Sequence, residues 1–394
     1  MNSNQPLKVA HIITRLIIGG AQENTLLSVA GLQETGRYDV WLLTGPTCGP
    51  EGSLMPEAVG TFRVKLIPAL RRNINPFFDL VALVHLWWIM RREKFDIVHT
   101  HSSKAGILGR LAARWNRVAV VVHTIHGLPF FPGQRAWLNW IFIRMERWAA
   151  PWTTRIACVA PTMVTLAREA GIGIPEQFLT IYSGMDLSVF RNDNAQRDAI
   201  RRRHAIASDA LVIGKIARLF HFKGHEFLLQ AVARLKPQFP RIVVLLVGDG
   251  ILRRDIEARA HALGLLENIR FAGLVSPAEI PGYVQAFDVL AHVSLREGLP
   301  RAVVQAAAAG VPAVCFAVDG AKDIIHNGAD GFLVAAGDVD NLGNRLSELL
   351  SDQELRQRMG AAARIHVQGL FSRERMIRQL DELYQDLTRA RSQR

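Results

Sequence analysis

The chain has 394 residues, 49% of them hydrophobic and 21% charged, proportions that exclude a fibrous or disordered protein. That length exceeds one ordinary core and points to two domains. The net charge of +12 favours acidic partners, among which nucleic acid, anionic lipid headgroups and a diphosphate-bearing small molecule all fit. Residues 1–190 carry 19 Lys and Arg against 12 Asp and Glu, a surplus of +7. The cysteines, Cys48, Cys158 and Cys315, are odd in number and form no CxxC pair. Neither a disulfide framework nor a zinc site is expected, and a reducing cytoplasmic compartment follows. The opening residues show no secretory pattern, because Leu7 to Ile13 alternates like a strand.

Short apolar runs alternate with helix-period segments, the pattern of βαβ units around parallel sheets. In the first half, residues 7–13, 38–44, 62–67, 95–100 and 119–125 read as strands, with helices near 21–34, 75–93, 104–115 and 134–150. The stretch 181–210 turns polar and charged and reads as a linker, with a boundary near residue 190. Beyond it, 211–217, 241–250, 268–273, 288–293 and 311–317 read as strands, with helices near 225–237, 252–263, 278–286 and 300–309. An α/β protein of two Rossmann-like domains is expected, 1–190 and 191–371. A last helix over 372–390, with Ile377, Leu380, Leu383, Tyr384 and Leu387 on one face, is expected to pack back on the first domain.

Chemistry-bearing residues gather where strands end, which is where open α/β sheets bind ligands. Gly19 and Gly20 precede a helix whose free N–H groups suit a phosphate, although any strand-to-helix turn uses such glycines. Arg218 and Lys223 sit between a strand and a helix, either as a diphosphate grip or as a solvated basic loop. Gly248 and Gly250 follow a strand, but Arg253 stands where a dinucleotide fingerprint has its third glycine. In "SLREGLPRAVVQAAAAGVP", Glu297 lies in a strand-end loop, Pro300 opens a helix, and Gln305 falls about two turns in. His123 and His126 flank a strand end without the carboxylate or cysteine of a metal site. Asp338 and Asp340 form a DxD that is better explained as a helix start.

All eight tryptophans lie within 41–152, six of them in 76–94 and 134–155. The first of these segments is only about 14 apolar residues, short of the roughly 20 that span a bilayer. With Arg71, Arg72, Arg91 and Arg92 beside it, and Arg135, Arg144, Arg147 and Arg155 in the second, an interfacial membrane face is one reading. Helices buried over the first sheet are the other.

The segments "GGAQENTLL", "HTHSSKAGILGRLAAR", "HTIHG", "IYSGMDLSVF", "ARLFHFKGHEFLLQA", "VGDG", "FAGLV", "SLREGLPRAVVQAAAAGVPAV" and "DGFLVAAGD" resemble, in the same order, glycosyltransferase family 4, the retaining nucleotide-sugar enzymes of the GT-B fold. The likeness extends to members that build capsule, exopolysaccharide or O-antigen. It implies two Rossmann-like domains across a cleft, the first for the acceptor and the second for the nucleotide-sugar donor, in a cytoplasmic enzyme that works peripherally at the inner membrane face. It implies that Arg218 and Lys223 grip the donor diphosphate, that the Gly19–Gly20 turn approaches it, and that Glu297 meets hydroxyls of the donor sugar. Gly298 and Leu299 then supply N–H groups beside it, Gly248 belongs to the donor-side loop, and His126 reaches the sugar from the first domain. Gln305 replaces a second glutamate that holds the ribose. Its amide can still bond a hydroxyl, without charge. A metal-independent transfer from a UDP-sugar to a lipid-linked or polysaccharide acceptor is the resulting expectation, with no cofactor and no nucleic acid. The departure at Gln305 keeps a catalytically silent nucleotide-sugar binder as the alternative.

Overall fold

A computed structural model describes residues 5–47, 52–58, 60, 62–191 and 193–392, so Cys48 lies outside the described residues. In chain order the first part contains β1 (Leu7–Ile13), α1 (Gly20–Glu34), β2 (Tyr38–Thr44), α2 (Met55–Ala58), β3 (Arg63–Leu66), α3 (Pro76–Glu93) and β4 (Ile97–His101). It continues with α4 (Ser103–Trp115), β5 (Val120–Ile125), α5 (Ala136–Ala149), β6 (Arg155–Cys158), α6 (Pro161–Glu169) and β7 (Phe178–Thr180). The second part contains α7 (Asn194–Arg203), β8 (Val212–Ile216), α8 (His225–Leu235), β9 (Val243–Val247), α9 (Arg253–Ala262), β10 (Ile269–Gly273) and α10 (Ile280–Gln285). Then come β11 (Val289–His292), α11 (Arg301–Ala308), β12 (Ala313–Phe316), β13 (Gly331–Val334), α12 (Val339–Ser351), α13 (Gln353–Leu370) and α14 (Arg373–Ser392).

Two compact units result, one running to Met185 and resuming at Ser372, the other Asp186–Phe371. The chain divides five residues ahead of the position read from composition, the buried Met185 being the last residue of the first unit before α14. Each unit is built on a parallel sheet, of seven strands ordered β3-β2-β1-β4-β5-β6-β7 and of six ordered β10-β9-β8-β11-β12-β13. Both are therefore wider than the five strands read from each half. β6, β7 and β13 have only three or four residues, too few to show a period. In both sheets the strand order reverses at one pair, β1 with β4 and β8 with β11, the crevice where such sheets take ligands.

The helices follow from local chemistry. Asn75 caps α3, its side chain accepting from the N–H groups of Phe77 and Phe78 at 3.1 and 3.2 Å. Pro76 occupies the first turn and Arg91 and Arg92 the last. The stretch read as a linker contains α7, a correction with a physical cause. α7 has little apolar surface and is held through charge, Arg197 and Arg201 both gripping Asp288 at 2.6 and 2.8 Å. α14 packs on α1 in the first unit, burying Met376, Leu380 and Tyr384 in the core of Val9, Ile13, Val29 and Val122.

The opposite face of the first sheet is covered by α3 and α4. α3 buries Ala82, Leu83, Leu86, Ile89 and Met90, yet its other side exposes Phe77, Leu80, Val84, Trp87 and Trp88. α5 buries only Glu146 and Ala149 along its length and exposes Trp137, Trp140 and Trp148. Of the two readings of these segments, covering the sheet holds for one face of α3, while the tryptophans Trp87, Trp88, Trp137, Trp140 and Trp148 of both helices point outward. α4 touches both helices, and its Trp115 is exposed too. Arg92 lies 5.4 Å from the Trp88 ring and Arg144 5.4 Å from the Trp140 ring, so each ring carries a cation beside it. No described helix is long and apolar enough to cross a membrane.

Candidate active site

In the second unit the site begins at the ends of β8 and β11. The loop after β8 turns through Phe222 and Gly224, both in the left-handed region at φ 65° and 66°. At Gly224 a Cβ would meet the Val293 carbonyl oxygen at 1.9 Å, so only glycine allows this approach. The N–H of Leu295 donates to the Phe222 carbonyl at 2.8 Å. These two contacts staple the loops together, and Lys223 Nζ consequently donates to Glu297 Oε1 at 2.5 Å. The family resemblance implies separate tasks at the donor for Lys223 and Glu297; the fold makes them an ion pair with each other.

Glu297 is held from two further sides. His292 Nε2, at the end of β11, lies 3.3 Å from Glu297 Oε1. The N–H of Glu297 donates to Asp319 Oδ2 at 2.7 Å, and that of Gly320 donates to the Gly298 carbonyl at 3.1 Å. Burial works against the Glu297 charge, but Lys223 and then His292 outweigh it and hold the carboxyl well below the usual range. It is ionised at neutral pH. Burial likewise keeps His292 below its ordinary value, against the pull of Glu297.

Beneath this pair lies Lys215 on β8, 1% exposed, with no hydrogen-bond partner for Nζ among the described residues. Burial, and next the charge of Lys223, lower it to about 7. His225, at the start of α8, is lowered to about 3 by burial and then by Lys215. Its Nε2 donates to the Arg218 carbonyl at 3.2 Å, which ties the Arg218 loop to the helix. The Arg218 guanidinium sits 5.1 Å from the Phe220 ring. Gly248, at φ 128°, presses on this same loop, since a Cβ there would meet the Ala217 carbonyl oxygen at 2.2 Å. Leu299 is buried and Gly298 half-buried. Because α11 starts at Arg301, with Pro300 as its cap residue, Gln305 lies about one turn in and not two. Its half-buried amide hydrogen-bonds to no described residue. Sequence reading missed His292, Asp319, Lys215 and His225, whose spacing to Glu297 follows no helix or strand period.

In the first unit, Gly19 caps α1 and Gly20 is its first residue. Gly19 is extended, at φ 176°, so the helix N-terminus is set without a left-handed turn. His126 is not paired with His123. The His123 Nδ1 lies 2.9 Å from Thr100 Oγ1, while His126 Nε2 lies 2.9 Å from His101 Nδ1. Among the described residues, two groups bring ligand atoms near enough to share a metal ion, His11 with His99 and His101, and His326 with Asp330 and His366. The DxD belongs to neither. Asp338 caps α12 by accepting from the Asn341 N–H at 2.9 Å, and Asp340 pairs with Arg234.

Known proteins resemble this chain along its whole length. The Glycosyltransferase Family 4 model matches residues 18–189, and the model of glycosyl transferases group 1 matches residues 196–366. The UDP-Gal:alpha-D-GlcNAc-diphosphoundecaprenol alpha-1,3-galactosyltransferase of Escherichia coli is 28% identical over 98% of both chains. EpsD of Bacillus subtilis, a putative glycosyltransferase by its name, is 27% identical over 81% of this chain and 83% of its own. Among solved structures, Anabaena HepE in complex with UDP-glucose superposes with a TM-score of 0.83 at 21% identity, covering 96% of this chain and all of the other. Sucrose-phosphate synthase from Thermosynechococcus elongatus gives 0.84 at 21% identity, over 98% of this chain. With the two models adjoining across most of its length and both units Rossmann-like, the chain belongs to glycosyltransferase family 4 and has the GT-B fold.

Proposed function

We propose that this glycosyltransferase moves a sugar, with retained configuration and without a metal ion, from a UDP-sugar to a lipid-linked glycan at the cytoplasmic membrane face. The observation that carries the reading is the ionised Glu297 joined to Lys223 at the ends of β8 and β11. In this reading Glu297 accepts from hydroxyls of the donor sugar, and the arriving diphosphate takes Lys223 and Arg218. The bond from the anomeric carbon to the phosphate oxygen breaks while the acceptor oxygen attaches on the same side, and the acceptor proton passes to the leaving phosphate. Fixed cations that meet developing charge are often the largest catalytic contribution. Gly298 and Leu299 offer backbone N–H groups beside Glu297, Gln305 bonds the ribose, and Gly248 acts by bracing the Arg218 loop. Gly19 and Gly20 open a helix N-terminus suited to phosphate, and His126 serves the donor sugar.

The acceptor class rests on the Escherichia coli relative, whose name specifies a diphosphoundecaprenol-linked substrate. The outward tryptophans of α3, α4 and α5, with Arg92 and Arg144 beside them, suit an anionic lipid surface. The test incubates the purified protein with a panel of nucleotide sugars and a polyprenyl-diphosphate-linked GlcNAc, with and without EDTA, and reads the new linkage by NMR. An axial product from an axial donor, formed equally in EDTA, is expected. An inverted product or metal-dependent turnover rejects the corresponding part, and donor binding without any turnover supports a silent binder. Binding to anionic vesicles is expected to weaken with salt and with Trp88→Ser plus Trp140→Ser. Protein that stays in solution at low salt rejects the membrane face.

A further inference from the structure

We infer that Tyr384, on the C-terminal helix α14, is a positioning residue that sets the proton position on His126 through a relay of two buried histidines. The inference rests on the proposed role of His126 toward the donor sugar. The relay is continuous: Tyr384 Oη lies 3.2 Å from His11 Nε2, His11 Nδ1 lies 2.9 Å from His101 Nε2, and His101 Nδ1 lies 2.9 Å from His126 Nε2. On its other side Tyr384 Oη meets His99 Nδ1 at 2.6 Å, and His99 Nε2 meets Thr124 Oγ1 at 2.6 Å. His11, His99, His101 and Tyr384 are all at most 1% exposed.

The sheet register explains how these residues meet. His11 on β1 is the direct partner of His99 on β4, and His101 is the partner of Thr124 on β5. His99 and His101 are two apart on one strand and so share a face, their rings stacked 4.4 Å apart. α14 packs over that face and brings Tyr384 to them. Burial lowers His11 to about 3 and leaves His99 and His101 well below their ordinary values, so the relay is neutral.

A neutral imidazole has one N–H and one bare nitrogen. The role of one nitrogen therefore dictates the role of the other, and the choice propagates from ring to ring. Tyr384 has one proton to donate. The shorter contact, to His99 Nδ1, is the one an O–H donor makes, so Tyr384 donates to His99 and accepts from the His11 Nε2–H. His11 Nδ1 is then bare and accepts from the His101 Nε2–H. His101 Nδ1 is bare in turn and accepts from His126, which carries its proton on Nε2. His99 keeps its own proton on Nε2 and donates it to Thr124. Turning the one Tyr384 O–H toward His11 reverses every link and moves the His126 proton to Nδ1. The group that chooses stands 258 residues further along the chain than the group that responds.

The test uses the full chain labelled with ¹⁵N-histidine. Long-range ¹H–¹⁵N spectra report which ring nitrogen is protonated, with the His126 signals identified by their loss in His126→Asn. Wild type is expected to show His126 as the Nε2–H form. Tyr384→Phe keeps the ring and removes the hydroxyl, and a mixture with the Nδ1–H form is expected. With it kcat falls by about 10- to 100-fold, as for outer partners of metal-bound imidazoles, at a donor KM within about twofold of wild type. His11→Leu cuts the relay one link further on and gives the same spectral change if Tyr384→Phe does not fold. An Nδ1–H His126 in wild type, or an unchanged His126 spectrum in the variant that folds, overturns the relay. So does a loss of activity without a spectral change, which would make Tyr384 purely structural. Wild type that shows the relay spectrally but turns over no donor rejects the proposed function and leaves the relay standing.

Discussion

The two units handle buried polar groups in opposite ways. In the second, Glu297 stays ionised in a poorly solvated place because Lys223 donates to it at 2.5 Å. In the first, His11, His99, His101 and Tyr384 stay neutral and satisfy one another through hydrogen bonds, with His126 bonded at the end of the series. A paired charge can meet charge that develops in a reaction, and it costs a large desolvation penalty if the partner is lost. A neutral relay holds no charge to lose, so it is suited to fixing where a proton sits. The charged half is therefore expected to dominate the rate and the neutral half its fine positioning.

Removing Glu297 should damage the charged half most. Glu297→Ala should lower kcat by about 100- to 1000-fold, the size of one lost preorganised transition-state contact, in steady-state assays of folded protein. An activity within about threefold of wild type would move catalysis away from β11 and erase the contrast.

A second prediction concerns Lys215, whose buried Nζ has no hydrogen-bond partner among the described residues. Because Lys215 is lowered to about 7 in the folded chain and titrates near 10.4 when unfolded, the unfolded state holds the extra proton between those values. Stability should thus rise with pH from about 7 to about 10 on its account, and its cost is complete below 7. Lys215→Met is expected to stabilise the protein by about 1–3 kcal/mol at pH 6, the cost of an unsatisfied buried polar group, and to flatten the rise above pH 7. Urea unfolding at pH 6 and pH 9 measures both. Equal or lower stability of the variant at pH 6 would mean that Lys215 is satisfied, as every member of the histidine relay is.

The smallest effect belongs to the neutral contact inside the charged half. If Gln305 bonds the donor ribose as proposed, Gln305→Ala removes a ground-state bond worth about 0.5–1.5 kcal/mol, so the donor KM should rise by roughly tenfold or less while kcat holds. Gln305→Glu should remain active. A collapse of kcat in Gln305→Ala would assign the amide to the transition state and make it a rival of Glu297.

Much of the fold was legible because its signals are local. The alternation over Leu7–Ile13 and the apolar run Val243–Val247 are strands by period and length, and Asp338 announces the start of α12. The elements that escaped were short, as β7 is, or held by charge, as α7 is through Asp288. At the site, Arg218, Lys223 and Glu297 stood out because each falls between a strand end and a helix start. Their neighbours did not. Nothing near Glu297 in sequence marks Asp319, since a backbone N–H makes that contact. His11, His99, His101 and Tyr384 are scattered over the whole length and carry no motif in common.

The alternation of strand and helix, the two domains, and the strand-end loops that carry the candidate site side chains are written in local stretches of the chain. These depend on periodicity, turn chemistry and the spacing of neighbours along the chain. Which side chain pairs with which is set by folding alone. The approach of Gly224 to the Val293 carbonyl makes Lys223 the partner of Glu297, and the return of α14 to the first sheet sets Tyr384 against His11 and His99. Both are contacts between residues far apart in the chain, whose protonation follows from burial and from the partner that folding supplies.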